Sequence, residues 1–127
     1  LPQPHGGRVT PFETRGHVAL AGTFGYELDI TKIPEEDRQQ IPAQTAMYHK
    51  YNDLIRRGDY SRIASFLENG NYDCYQVTSK DQKEALVTYV QVLSRPNFHS
   101  RRVRLKGWHW RNSIASRRPG KSLAATC

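Results

Sequence analysis

Apolar positions change period several times along the chain, and the changes mark its elements. From Arg8 to Asp29 the chain reads RVTPFETRGHVALAGTFGYELD. Thr10, Pro11 and Glu13 have the spacing of a capping box, with Pro11 at the first helical position, where a missing amide hydrogen is harmless. Val18, Ala19 and Ala21 follow as a small apolar face, and Gly22 is the expected stop. Thr23 to Leu28 then alternates, with Phe24, Tyr26 and Leu28 on one side and Gly25 and Glu27 on the other, which predicts a short strand. Ile30 to Ile33 leads into a longer helix from about Pro34 to Arg57. Its first turn is crowded with Glu35, Glu36 and Asp37, where the macrodipole favours negative charge. Ala43, Met47, Tyr51, Leu54 and Ile55 recur at helical spacing as its buried face. Pro42 is expected to kink or split it, and Gly58 to end it.

Beyond Gly58 the pattern alternates. Tyr60 to Phe66, Tyr72 to Thr78 and Glu84 to Leu93 read as strands, with a shorter one from Arg102 to Lys106. Asn69-Gly70 is a hairpin signal between the first two, and Ser79 to Lys83 suits a second turn. Ala85, Val87, Tyr89, Val90 and Val92 make the third strand the most buried. From Trp108 to Cys127 neither alternation nor a helical face is visible. A helix, a strand and a second helix, followed by an antiparallel meander, make an α+β chain.

With 127 residues the chain is one ordinary domain or pieces of two. A complete α/β barrel needs roughly 250 residues, so none closes here. No apolar run approaches the ~20 residues that cross a membrane, and no membrane role is expected. Leu1 in place of Met fits an excised or partial reading. Two cysteines, Cys74 and Cys127, make no disulfide framework and are expected to be free thiols of a cytoplasmic protein. The net charge of +7 is unevenly placed. Residues 1–84 sum to −2 and residues 85–127, which hold no acid, to +9. Such an end is either a basic arm for phosphate backbones or a stretch not selected with the rest.

Gly7-Arg8, Thr10-Pro11, Thr14-Arg15-Gly16 and Gly22-Thr23-Phe24-Gly25-Tyr26-Glu27-Leu28-Asp29 stand in the order of words that end the barrel of bacterial-type α-galactosidases. Over residues 7–107 the chain resembles glycoside hydrolase family thirty-six. The resemblance implies a fragment: residues 1–58 as the last helix–strand–helix of a (β/α)8 barrel, residues 59–107 as the first strands of the antiparallel β-sandwich that follows, and residues 108–127 as a basic tail of unassigned origin. The family's continuation after R-L-K-G is missing, and LPQPHG matches its P-N-H segment poorly. One or both ends are therefore expected to be out-of-frame or foreign sequence.

The chemistry the resemblance implies is hydrolysis of terminal α-galactosyl groups from melibiose- or raffinose-type sugars by a metal-free, retaining double displacement. The parent would be a homo-oligomer without cofactors. Its two catalytic aspartates belong to motifs, K-W-D-x-N among them, that this chain lacks, so no catalytic, cofactor-binding or metal-binding residue is expected here, and the fragment alone should be inactive. Glu27 and Asp29 tempt as a carboxyl pair, but they point the same way from one strand, whereas hydrolysis needs groups opposed across the sugar. A cap, salt-bridge or barrel-rim role suits them better. Phe24 and Tyr26 lie where an aromatic ring lines a sugar pocket, although core packing is favoured.

His5, His17, His49, His99 and His109 have no recurrent ligand spacing. His99 to Lys106 is a basic stripe near Phe98, Trp108 and Trp110. It fits either the outer face of a strand or a small basic module that grips nucleic acid or an acidic partner. The strand reading is preferred, with no nucleic acid as partner. A non-catalytic sugar-binding sandwich is a third reading, for which the strands lack a planar aromatic cluster.

Overall fold

The computed structural model describes residues 9–92, 102–107, 113–116 and 122–126. The chain divides within its longest helix into two compact units, Leu1–Asn52 and Asp53–Cys127.

In the first unit, α1 (Phe12–Ala19) begins one residue later than the capping box predicts. Pro11 is the N-cap, and no side chain caps the helix. A proline lacks both an amide hydrogen and a side-chain acceptor, so the box cannot close around it. The buried stripe is Phe12, Gly16 and Leu20, spaced by four, while Val18 and Ala21 are exposed. The expected apolar face was thus offset: the ring of Phe12 fixes which side turns inward. Ala21 and Gly22 donate to the carbonyls of Val18 and Ala19, tightening the end into 3-10 turns at the predicted stop.

Thr23 to Leu28 keeps its predicted alternation, half-buried at Phe24, Tyr26 and Leu28 and exposed at Thr23, Gly25 and Glu27. It forms no ladder among the described residues. A strand is defined by its neighbours, and this unit supplies none. A 3-10 turn (Ile30–Lys32) follows, then α2 (Glu35–Arg38) and α3 (Ile41–Arg57). The predicted single helix is therefore split, and Pro42 lies in the first turn of α3, where proline is tolerated. On α3 the sequence-predicted Ala43 is exposed, Met47, Tyr51, Leu54 and Ile55 are half-buried, and Gln44 is the buried residue.

The second unit is an antiparallel sheet built from β1 (Asp59–Ala64), β2 (Tyr72–Thr78), β3 (Glu84–Gln91), β4 (Ser113–Ser116) and β5 (Ser122–Thr126). Its order is β1-β2-β3-β5-β4. The β1–β2 connection is not a two-residue hairpin: a helical turn, α4 (Phe66–Asn69), occupies it. Gly70 sits at φ 69° as its left-handed C-cap. Asn69 acts as the hub of this turn, donating to the carbonyls of Ser65 and Tyr72 and accepting from the amides of Asn71 and Tyr72. Asp73 on β2 accepts from the Phe66 amide at 2.8 Å and so caps α4 from across the turn.

Ser79 to Lys83 turns as expected, with Gln82 at φ 58°. β3 buries Ala85, Leu86, Val87 and Thr88 in succession, but its ends are exposed and Tyr89, Val90 and Val92 are only half-buried. β2, which has no exposed residue, is at least as enclosed, contrary to expectation. Burial on both faces is what a run without polar alternation predicts. The residues Arg102 to Lys106 form no ladder, contrary to expectation, yet Arg102, Arg104 and Lys106 are exposed and Val103 and Leu105 half-buried. Their backbone is held by a side chain instead. Gln76, fully buried on β2, accepts from the Lys106 amide at 3.1 Å and donates to the Lys106 carbonyl at 2.5 Å. The tail expected to be featureless contributes β4 and β5, with β5 pairing to β3 from Glu84↔Thr126 to Thr88↔Ser122. Short Ser- and Ala-rich strands carry no alternating signal, which is why periodicity missed them.

Candidate active-site segment

An aromatic chain runs through the first unit. Phe12 of α1 stacks against Tyr26 at 6.1 Å, Tyr26 meets Phe24 edge-on at 5.2 Å, and Phe24 stacks on Tyr48 of α3 at 5.3 Å. Such pairs add about 0.5–1.5 kcal/mol each beyond area burial. Phe24 and Tyr26 are therefore packing residues, turned toward the helices. The Tyr26 hydroxyl donates to Gln44 Oε1 at 2.8 Å, and Gln44 Nε2 donates to the Phe12 carbonyl at 3.2 Å. One buried amide thus joins α1, the Thr23–Leu28 segment and α3. Burial raises the Tyr26 phenol above its ordinary value, against the lowering effect of a hydrogen bond with Thr45.

Gln44 was not singled out from the sequence. The signal was available: positions 44, 47, 48 and 51 share one helical face, and a polar residue among Met47, Tyr48 and Tyr51 needs a partner.

Glu27 and Asp29 part company in the structure. Asp29 caps the 3-10 turn, accepting from the Thr31 amide at 3.0 Å and the Thr31 hydroxyl at 2.6 Å, and pairs with Lys32 at 3.1 Å. The hydrogen bonds from Thr31, then Lys32, hold its carboxyl below the usual value. Glu27 is exposed and belongs to none of the ion pairs among the described residues.

No group of three or more His, Cys, Asp or Glu that could hold a metal occurs among the described residues. His49 is exposed beside Tyr48, and His17 has an enclosed Nδ1 without a hydrogen-bond partner among the described residues. His5, His99, His109, Phe98, Trp108, Trp110 and Cys127 lie outside the described residues. Arg15 lies over the Phe12 ring at 5.3 Å, with Nε and Nη2 enclosed and without hydrogen-bond partners among the described residues. No helix among the described residues is long and apolar enough to cross a membrane.

In the second unit, Ile63, Ala64, Tyr72, Cys74 and the 102–106 run line a cleft of about 340 Å³. Cys74 is fully buried, and burial pushes its thiol up to about 11, away from nucleophilic use. The basic residues at 102, 104 and 106 alternate with the half-buried Val103 and Leu105, as on the outer face of a strand.

Packed aromatics, a capped carboxylate and a buried amide tie describe a scaffold segment of an α+β fold. Family comparison says which one. The Melibiase family matches residues 1–58, and the glycosyl hydrolase family 36 C-terminal domain matches residues 72–109. Alpha-galactosidase AgaA of Geobacillus stearothermophilus is 43% identical over 107 residues, 84% of this chain and 14% of that protein. The bifunctional alpha-galactosidase/sucrose kinase AgaSK of Mediterraneibacter gnavus is 39% identical over 107 residues, 84% of this chain and 11% of that one. A crystal structure of AgaA in complex with raffinose superposes with a TM-score of 0.87 and 32% identity, covering 99% of this chain and 21% of that chain. The chain belongs to glycoside hydrolase family 36, of whose members it spans a small part.

Proposed function

We propose that this chain is part of an α-galactosidase that hydrolyses terminal α-galactosyl residues of melibiose- or raffinose-type sugars. Residues 1–58 supply the last helix–strand–helix of its (β/α)8 barrel, and residues 59–107 the first strands of its C-terminal β-sandwich. The reaction is a double displacement with retention, for which one carboxyl attacks the anomeric carbon and another protonates the leaving oxygen and then activates water. Both carboxyls come from outside these residues. The chain contributes the fixed frame behind them. Residues 108–127 are a tail whose sequence departs from the family pattern. The parent acts in the cytoplasm as a homo-oligomer.

The superposition of nearly the whole chain on about a fifth of an α-galactosidase carries this reading. Local features agree with it. Among the described residues the Thr23–Leu28 run has the alternation of a strand without a ladder partner, and two enclosed nitrogens of Arg15 have no acceptor, which fits elements that pack against further parts of a barrel.

A chimera tests it: the matching segment of the Geobacillus enzyme is replaced with residues 9–107, and raffinose hydrolysis is assayed. Turnover by the chimera is expected, with none from the isolated chain. A folded but inactive chimera, or galactosidase activity of the isolated chain, would overturn the reading.

A further inference from the structure

The Thr23–Leu28 segment has two unlike sides. Phe24 and Tyr26 pack on rings carried by α1 and α3, so Thr23, Gly25 and Glu27, which alternate with them, are turned away from both helices. In a (β/α)8 barrel the helices lie outside, and the other side of each strand faces the interior. Gly25 has no local reason to be glycine. Its φ is not in the left-handed region, and a Cβ built on it meets nothing within 4 Å. The space beside it is open, on the side turned away from both helices. Glu27 follows on that side, closer to the strand's C-terminal end, where the active sites of such barrels sit. Asp29, the next residue in the series, is already engaged by Thr31 and Lys32. Glu27 has no such engagement among the ion pairs of the described residues.

We infer that Glu27 is a substrate-binding residue of the assembled α-galactosidase, its carboxylate accepting hydrogen bonds from hydroxyls of the galactoside at the barrel mouth. Gly25 leaves the space for the sugar's close approach. The inference rests on the barrel reading above. A carboxylate suits the task because it only accepts, and sugar hydroxyls donate freely to it. It is a binding group, distinct from the two carboxyls that make and break bonds.

The test introduces Glu27→Ala and Glu27→Gln into the active chimera and measures raffinose kinetics, inhibition by free galactose and the melting temperature. Glu27→Ala is expected to lower kcat/KM roughly 10–100-fold, the range for losing a hydrogen bond to a charged group. The galactose inhibition constant should rise in parallel and the melting temperature stay unchanged. Glu27→Gln, which keeps an acceptor oxygen, should recover part of the loss. Kinetics and galactose inhibition within about two-fold of the unsubstituted chimera would overturn the inference. So would a loss that tracks a fall in melting temperature, since that marks a structural role. If the unsubstituted chimera folds but is inactive, the barrel reading fails first and the inference falls with it.

Discussion

Gln44 and Gly16 touch so closely that a Cβ at position 16 would lie 2.6 Å from the Gln44 amide. The glycine is what admits the amide to the Phe12 carbonyl and the Tyr26 hydroxyl. Gly16→Ala is therefore expected to destabilise the active chimera by about 1–3 kcal/mol through overpacking. Denaturant midpoints compared with the unsubstituted chimera measure this. An unchanged midpoint would show that the amide can move aside freely.

Tyr26→Phe removes one hydroxyl and leaves Gln44 Oε1 without its donor. A buried acceptor left unpaired costs about 1–3 kcal/mol. Double substitution with Gln44→Leu should recover part of that loss, because both members of the pair are then gone, although the Phe12 carbonyl also loses its bond from Gln44 Nε2. Additive effects in the double-mutant cycle would contradict the coupling.

Gln76 imitates a neighbouring strand, offering an acceptor and a donor to the two backbone groups of Lys106. Gln76→Leu keeps the volume and removes both. Hydrogen exchange at the Lys106 amide should then quicken relative to the β2–β3 amides, which the ladder still protects. Equal protection before and after would mean that the side chain does not hold this segment.

Cys74 should resist thiol reagents at pH 8 in the folded second unit and react after denaturation. Burial raises its folded value to about 11 from an ordinary 9.0. The raised value stabilises the fold below pH 9, and that contribution fades as the pH climbs toward 11. Cys74→Ala should flatten this alkaline loss. Rapid native-state labelling at neutral pH would refute the enclosure.

Asp29 has the opposite sign. Its carboxyl is held low by the Thr31 bonds and then by Lys32, so its contribution is present above the ordinary value of 3.8 and is lost as the pH falls through the lower folded value. Asp29→Asn should remove that acid dependence while retaining an acceptor for the Thr31 amide. NMR titration of the Asp29 carboxyl reads it directly.

Elements whose own residues decide them were legible in the sequence. β2 matches its predicted span, since Tyr72 to Thr78 lies between turn residues on both sides. The existence of α3 and the burial of Ala85 and Val87 on β3 follow from apolar spacing, whereas Tyr89, Val90 and Val92, expected to be buried with them, are half-buried. Errors arose where a partner decides the outcome. Thr23 to Leu28 has the composition of a strand but no ladder partner among the described residues. Asn69-Gly70 signals a tight hairpin, yet Asn69 finds more acceptors and donors by closing a helical turn. The Arg102–Lys106 run is fastened by Gln76, a contact between residues thirty positions apart that no local pattern announces. At the candidate site, the packing role of Phe24 and Tyr26 was readable from alternation, and the tie through Gln44 required knowing which helix faced them.

The position of β5 between β3 and β4 imposes an order on biogenesis. β1, β2 and β3 leave the ribosome as a simple meander, but the far edge of β3 must wait for residues 122–126 before it is covered. During that interval the most apolar strand of the unit presents open amides and carbonyls to any passing extended segment. A nascent chain halted between Gln91 and Ser122 is thus at greater risk of aggregation than one halted before Glu84.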